Sequence, residues 1–205
     1  MTISYAIPVC NEYKEIDRLL ELLVKNKRNE DEIVVQCDQG NTTPEVYQVL
    51  DKYASNIKKV EFPLKGNFAA FKNNLKQNCV GSWIFQIDAD EYLSKSFIQN
   101  LHTVLQSNPM IQVFLIPRIN TVEGLTQEHI DRWKWQVNDK DWVNFPDYQT
   151  RILQNSPKIN WGSKVHEVLL GHDNFSAFPA EEEYCLIHPK TIDRQERQNN
   201  LYNLL

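Results

Sequence analysis

The stretch Asp88-Ala89-Asp90-Glu91 places three carboxylates within four residues. It follows Trp83-Ile84-Phe85-Gln86-Ile87, a run of β-branched and aromatic residues that reads as a buried strand. Residues two apart in an extended chain point the same way. On that reading Asp88 and Asp90 reach one point. Two hard carboxylate oxygens suit Mg²⁺ or Mn²⁺, with phosphate oxygens of a ligand completing the shell. The same residues would also serve as a solvated acidic turn ahead of a helix starting near Ser94, so the rest of the chain must decide.

The elements that would position these acids follow from periodicity. Buried strands are expected at 3–9, 33–35, 59–62, 83–88 and 112–117. Helices are expected between them. Ile16, Leu19, Leu20 and Leu23 recur at helical spacing after Asn11, a good N-cap, and further helices fall at 43–53, 68–79 and 94–106. This order predicts an α/β fold with a mostly parallel sheet and helices on both faces. Such sheets bind ligands beyond the carboxyl ends of their strands, which is where the acids fall. After residue 117 the texture changes. Residues 120–144 are rich in Trp, charges and amides. A helix is expected at 125–136, strands at 149–154, 164–169 and 183–188, and a terminal helix at 193–205.

Composition narrows the class. The 205 residues are 41% hydrophobic and 11% aromatic, with net charge -5. That suits one globular domain and argues against a broadly basic nucleic-acid binder. No apolar run reaches membrane-span length, and Met1 leads straight into a strand pattern with no leader signature. Cys10, Cys37, Cys79 and Cys185 show no Cys-x-x-Cys spacing, the pattern of a reduced cytoplasmic chain.

Four pieces then resemble the family 2 glycosyltransferases of the GT-A fold. They are Ile7-Pro8-Val9-Cys10-Asn11-Glu12 (with Cys10 where Tyr is commoner), Glu32-Ile33-Val34-Val35-Gln36-Cys37-Asp38, Gly66-Asn67-Phe68-Ala69-Ala70-Phe71-Lys72-Asn73, and Asp88-Ala89-Asp90. In the second half, Asn144-Phe145-Pro146-Asp147-Tyr148-Gln149-Thr150-Arg151-Ile152, Ile159-Asn160-Trp161-Gly162 and Val165-His166-Glu167 resemble a short soluble subgroup with a Trp…Val-His-Glu signature. His188-Pro189-Lys190, with Arg194, resembles the closing segment of such enzymes.

The resemblance implies a single domain, with residues 1–117 binding a nucleotide sugar and 118–205 facing the acceptor. It implies an inverting, Mn²⁺- or Mg²⁺-dependent transfer to a hydroxyl on a glycan or lipid-linked glycan. Asp90 would be the main metal ligand, Asp88 a contact to ribose and the metal's water, and His188 a late ligand. Lys72, Lys190 and Arg194 would clamp phosphates. Pro8, Asn11, Glu12, Asp38, Phe68 and Ala89 would line the donor, with Asp38 accepting the imino hydrogen of uracil in a UDP-linked sugar. Glu167 is the first choice of general base, with Asp147 and Glu91 as rivals. Lys65 and Lys76 read as solvated. Trp133, Trp135 and Trp142 suit either core or a sugar platform. Two other readings stand beside this one. A DNA glycosyltransferase acting on hydroxymethylated bases would use Arg132, Lys134, Lys140, Arg151, Lys158 and Lys164 as a phosphate groove. A non-catalytic sugar-nucleotide binder would keep Asp38 and Lys72 without needing Glu167, His188 or Lys190.

Overall fold

The structure, a computed structural model, describes residues 1–202. Its centre is β1 (Ile3–Val9), which pairs in parallel with β2 (Glu32–Asp38) on one side and β4 (Trp83–Gln86) on the other. β3 (Lys58–Phe62) adds in parallel beyond β2. Side chains on β1, β2 and β4 alternate between two cores, as a period of two requires. Tyr5, Ile7, Ile33, Val35 and Phe85 face α1 (Tyr13–Asn26), α2 (Pro44–Lys52) and α4 (Lys95–Ser107). Ala6, Val34 and Ile84 face α3 (Phe68–Gln77) and a small hairpin. Strands buried on both faces explain why these runs are continuously apolar.

The second half extends the same sheet. β5 (Val113–Glu123) and the antiparallel β6 (Val143–Gln154) join it, and with β10 (Leu186–Thr191) at the edge the order is β10-β5-β6-β4-β1-β2-β3. Between them lies α5 (Gln127–Trp133). β7 (Asn160–Gly162) and β8 (Val168–Leu170) form the separate hairpin over α3. β9 (Phe175–Ala177) and β10 (Leu186–Thr191) pair end to end along the free edge of β5. α6 (Ile192–Tyr202) follows; the expected helix end at 203–205 lies outside the described residues. No helix among the described residues is long and apolar enough to cross a membrane.

Several expectations about elements are corrected. β4 stops at Gln86, not at 88, because the chain turns at once: the Glu91 N–H donates to the Asp88 carbonyl at 2.9 Å. β5 runs through Pro117 to Glu123. The expected strand at 164–169 is mostly a turn, with Ser163 and His166 at φ of +67° and +54°. The run 183–188 splits into a 3-10 turn (Glu182–Tyr184) and β10, because Tyr184 folds in against Phe97 and Phe178. α5 ends at Trp133, where Lys134 turns left-handed at φ +56°. Asn11 does not cap α1. Glu12 is the N-cap, and its carboxylate turns back to accept the N–H groups of Cys10 and Asn11 at 2.9 and 3.0 Å. Lys76 is not solvated: it is 5% exposed, and burial pushes its ammonium pKa down.

The start of β4 leaves no room for a side chain. A Cβ on Gly81 would sit 2.6 Å from the Ser4 backbone nitrogen. Gly81→Ala should therefore destabilise the fold by about 1–3 kcal/mol, the usual cost of overpacking. Urea denaturation should show a lower midpoint at unchanged slope, and an unchanged midpoint would refute the contact.

Candidate active site

The carboxyl ends of β1, β2 and β4 open on one edge, and the turn after β4 carries the acids. Glu91 is fully buried, with 0% exposure. It accepts the Asp88 N–H at 3.1 Å and closes its own turn. Its other oxygen, Oε1, meets Arg151 Nη2 at 2.6 Å and Arg118 Nη1 at 3.1 Å. Arg151 Nη2 also reaches Asp88 Oδ2 at 2.5 Å. Register explains the meeting. β6 sets Ile152 opposite Phe85, so Arg151 comes level with the end of β4. β5 sets Arg118 opposite Asp147. Arg118 donates from Nε and Nη2 to Asp147 Oδ2 at 2.9 and 2.7 Å. Asn120 donates to the same oxygen at 2.9 Å and Gln149 to the other at 2.7 Å.

These contacts set the ionisation states. Burial opposes the charge on Asp88, yet Arg151 and then Lys72 hold its carboxyl below the usual range. Burial likewise opposes the charge on Asp147, and Arg118 with Asn120 and Gln149 overrides it. Burial pulls the Arg151 guanidinium down, and Asp88 and Glu91 more than reverse this.

Asp90 faces a different set. Its Oδ2 lies 3.1 Å from His188 Nε2 and 3.1 Å from Arg194 Nη2. Burial would raise its pKa, but the His188 hydrogen bond and the charges of His188, Arg194 and Lys190 hold it far below the carboxylate range. His188 stands opposite Asn120 across the β10–β5 pair, and its Nδ1 lies 2.8 Å from Asn120 Oδ1. Asn120 uses its NH₂ on Asp147, so its carbonyl oxygen is the atom left for His188. That places a proton on Nδ1; the hydrogen bond to Asp90 uses a second proton on Nε2, whose place a bound cation would take. A carboxylate oxygen and an imidazole nitrogen thus converge, a donor pair suited to Mn²⁺. Asp88 does not join them, contrary to the expected trio. The turn after Gln86 breaks the extended spacing, and Asp88 spends its carboxylate on Arg151. Among the described residues no three His, Cys, Asp or Glu side chains gather as a metal cage. Arg194 also reaches Glu12 Oε1 at 3.2 Å and Glu15 Oε1 at 3.4 Å, tying α6 to the turn after β1. Burial lowers the Lys190 ammonium, and Asp90 partly opposes this.

Helix α3 brings the third group. Asn67 caps it, accepting from the Ala70 N–H at 3.0 Å. Gln36 and Gln86, buried on the sheet, donate to the Phe71 and Lys72 carbonyls. Asn73 grips the Trp161 backbone at both N–H and C=O, each at 2.8 Å. This clamp sets the β7–β8 turn against the helix. Lys72 then forms an ion pair with Glu167 and lies 4.5 Å from the Trp161 ring centroid. The Phe68 N–H also donates to the Lys164 carbonyl, at 2.9 Å.

Of the other expected donor residues, Asp38 is buried. It accepts from the Leu64 N–H at 2.9 Å and Asn41 Nδ2 at 3.0 Å, so it braces the turn after β2. Pro8 lies in β1, Asn11 is exposed in the turn that follows, and Phe68 opens α3. The Ala89 side chain is in the core and offers only backbone to a ligand. Sequence reasoning missed Arg118 and Asn120, because Pro117 reads as the end of a strand. It also took Arg151 for a surface cation, whereas the residue is 3% exposed.

Removing Arg151 would leave Asp88 without its guanidinium and Glu91 with Arg118 alone. Arg151→Met should cost about 3–5 kcal/mol, the usual penalty for breaking a buried pair. The deficit should narrow on acidification, as the less well paired carboxyls take up protons. Chemical denaturation at two pH values checks this; a deficit that widens on acidification would contradict it.

A protein-family model described as "Glycosyl transferase family 2" matches residues 4–164. No curated protein sequence matches the chain. Among solved structures, S. aureus TarS 1-349 superimposes with a TM-score of 0.63 at 17% identity, covering 92% of this chain and 60% of that one. The same TarS fragment in complex with UDP gives 0.65 at 18% identity, with the same coverage, 92% and 60%. In complex with UDP-GlcNAc it gives 0.62 at 17%, covering 93% and 59%. The chain therefore spans about three fifths of the TarS fragment, and at this identity the likeness is one of fold. With the family model matched from the first strand into the start of the β7–β8 turn, the chain belongs to glycosyl transferase family 2.

Proposed function

We propose that the chain is an inverting, metal-dependent transferase that moves a sugar from a UDP-linked donor to a hydroxyl acceptor. The observation that carries this reading is the convergence of Asp90 and His188 beside Arg194 and Lys190, at the carboxyl edge of the sheet. A divalent cation held by Asp90 and His188 would neutralise charge on the leaving diphosphate. UDP as the donor nucleotide is supported by the resemblance to a fold solved with UDP and with UDP-GlcNAc.

The chain's own cations are already paired. Lys72 holds Glu167, and Arg194 holds Asp90, Glu12 and Glu15. A donor diphosphate competes for both cations. As Lys72 turns to phosphate, Glu167 is released to take the acceptor's hydroxyl proton. Glu167 suits the role of base better than its rivals. Asp147 is saturated by Arg118, Asn120 and Gln149 and held below its usual pKa. Glu91 is buried between two guanidiniums. The DNA reading loses Arg151, which is internal; Arg132 and Lys140 sit in exposed pairs with Glu196 and Glu182.

The test is nucleotide release from a panel of sugar nucleotides with Mn²⁺; UDP-linked donors should lead, and tighter binding of GDP or CDP than UDP would sink that assignment. Asp90→Asn should abolish transfer and weaken Mn²⁺ binding measured by calorimetry, while normal turnover at saturating Mn²⁺ would exclude Asp90 as a ligand. Glu167→Gln should lower kcat by roughly 10²–10⁴-fold, the range for a positioned base, without weakening UDP binding. Should Asp147→Asn be inactive while Glu167→Gln turns over normally, the base belongs to β6 instead.

A further inference from the structure

The β7–β8 hairpin has two edges, and they are finished differently. Along β7, Asn73 accepts from the Trp161 N–H and donates to the Trp161 carbonyl, each at 2.8 Å. Both Trp161 groups therefore point away from β8. In an antiparallel pair, the residue opposite one that turns its N–H and C=O outward does the same on its own side. Leu169 stands opposite Trp161, so its N–H and C=O point away from β7. Among the described residues neither group has a partner, and β8 pairs with β7 alone. Leu169 is only 8% exposed, and buried backbone groups are almost always paired. Asn73 mimics a neighbouring strand on one edge of the hairpin, and the other edge stands open.

The side chains along the open edge are apolar. The Leu169 side chain packs into the core against α3. Val168 and Leu170 point the other way and are 51% and 55% exposed. Gly162, opposite Val168, adds no side chain to that face, and Leu170 lies over it. An apolar edge strand with open backbone bonds is a template for another strand.

Symmetry selects which strand. With a two-fold axis at Leu169 and antiparallel pairing, its N–H and C=O bond those of Leu169 in a second copy. Val168 then falls opposite Leu170 of the second copy, and Glu167 opposite Gly171. Apolar side chains meet twice, and no like charges face each other in this stretch. That matters for a chain of net charge -5, which as a whole repels a copy of itself. An unrelated peptide would gain the backbone pair without the matched side chains.

We propose that β8 is a dimerisation strand, joining two copies of this chain through a four-stranded β7-β8-β8-β7 sheet. β8 runs on directly from Glu167, so the pairing also braces the turn that carries the proposed base.

The test is sedimentation equilibrium of the full chain from roughly 1 µM to 1 mM, the range in which a small interface dissociates. A monomer–dimer equilibrium is expected. Val168→Lys combined with Leu170→Lys sets like charges opposite each other twice and should weaken the dimer by roughly tenfold or more. Val168→Lys combined with Leu170→Glu sets opposite charges together across the same axis and should keep it. Both positions are exposed, and urea denaturation of each variant checks that the fold survives. Where it does not, hydrogen exchange on the unmodified chain decides: the Leu169 amide should exchange more slowly at concentrations where the dimer forms. A monomer across the whole range would overturn the proposal. So would a dimer indifferent to the double-lysine variant, equal loss in both folded variants, or a Leu169 amide that exchanges at one rate in monomer and dimer.

Discussion

Everything at the sheet edge depends on how two acids beside the end of β4 are neutralised. An unpaired carboxylate buried there would cost several kcal/mol. Glu91 avoids that cost because Arg151 and Arg118 arrive from β6 and β5, and the same Arg151 serves Asp88. Register is therefore tied to charge. A slip of β6 by one residue would turn Arg151 to the opposite face of the sheet, leaving Asp88 without its guanidinium and Glu91 on Arg118 alone. The antiparallel β6, set between the parallel β4 and β5, is thus fixed by electrostatics as well as by Ile152 and Leu153 in the two cores.

Asn120 carries that constraint onward. Its NH₂ completes the shell of Asp147, and its carbonyl oxygen orients His188. One amide thereby links the Arg118–Asp147 pair to the imidazole facing Asp90. Replacing it by a side chain with a single polar function would leave one side of the link unmade. The two guanidiniums in the network are structural counter-ions first. The cations free to change partner are those outside it, Lys72 and Arg194, whose pairs join separate elements: α3 to the β7–β8 turn, and α6 to the turns after β1 and β4.

Much of the first half was legible in the sequence, because two-sided burial writes continuous apolar runs and helices write a 3.6-residue repeat. Ile16, Leu19, Leu20 and Leu23 face the core as expected, and Ser94 caps α4 through the Phe97 N–H. What failed to read was long-range. Pro117 looked like an end because a proline cannot donate to a ladder, yet β5 continues through it. Asp88 and Asp90 looked co-directed because the strand was drawn two residues too long. Arg151 looked like a surface cation because nothing local tells a solvated arginine from one whose partners lie 60 and 63 positions away. The ion pair of Lys72 with Glu167 spans 95 positions, and no local pattern encodes it.

The internal pairing of cations also bears on how an anionic donor could enter an acidic chain. A net charge of -5 gives no long-range attraction for a diphosphate, so steering by the overall field is weak. On the proposed transferase reading, local exchange would replace it. Lys72 and Arg194 keep their charge in place through Glu167, Asp90, Glu12 and Glu15, and each can pass from a carboxylate to a phosphate without either ion being stranded. Such an exchange would be close to neutral in Coulomb terms and would release Glu167 for the role of base proposed above. A pocket whose cations stood unpaired would bind phosphate more tightly, but it would bind any phosphate. Holding each cation against an internal carboxylate would set a threshold favouring a ligand that engages both cations over one that engages a single cation.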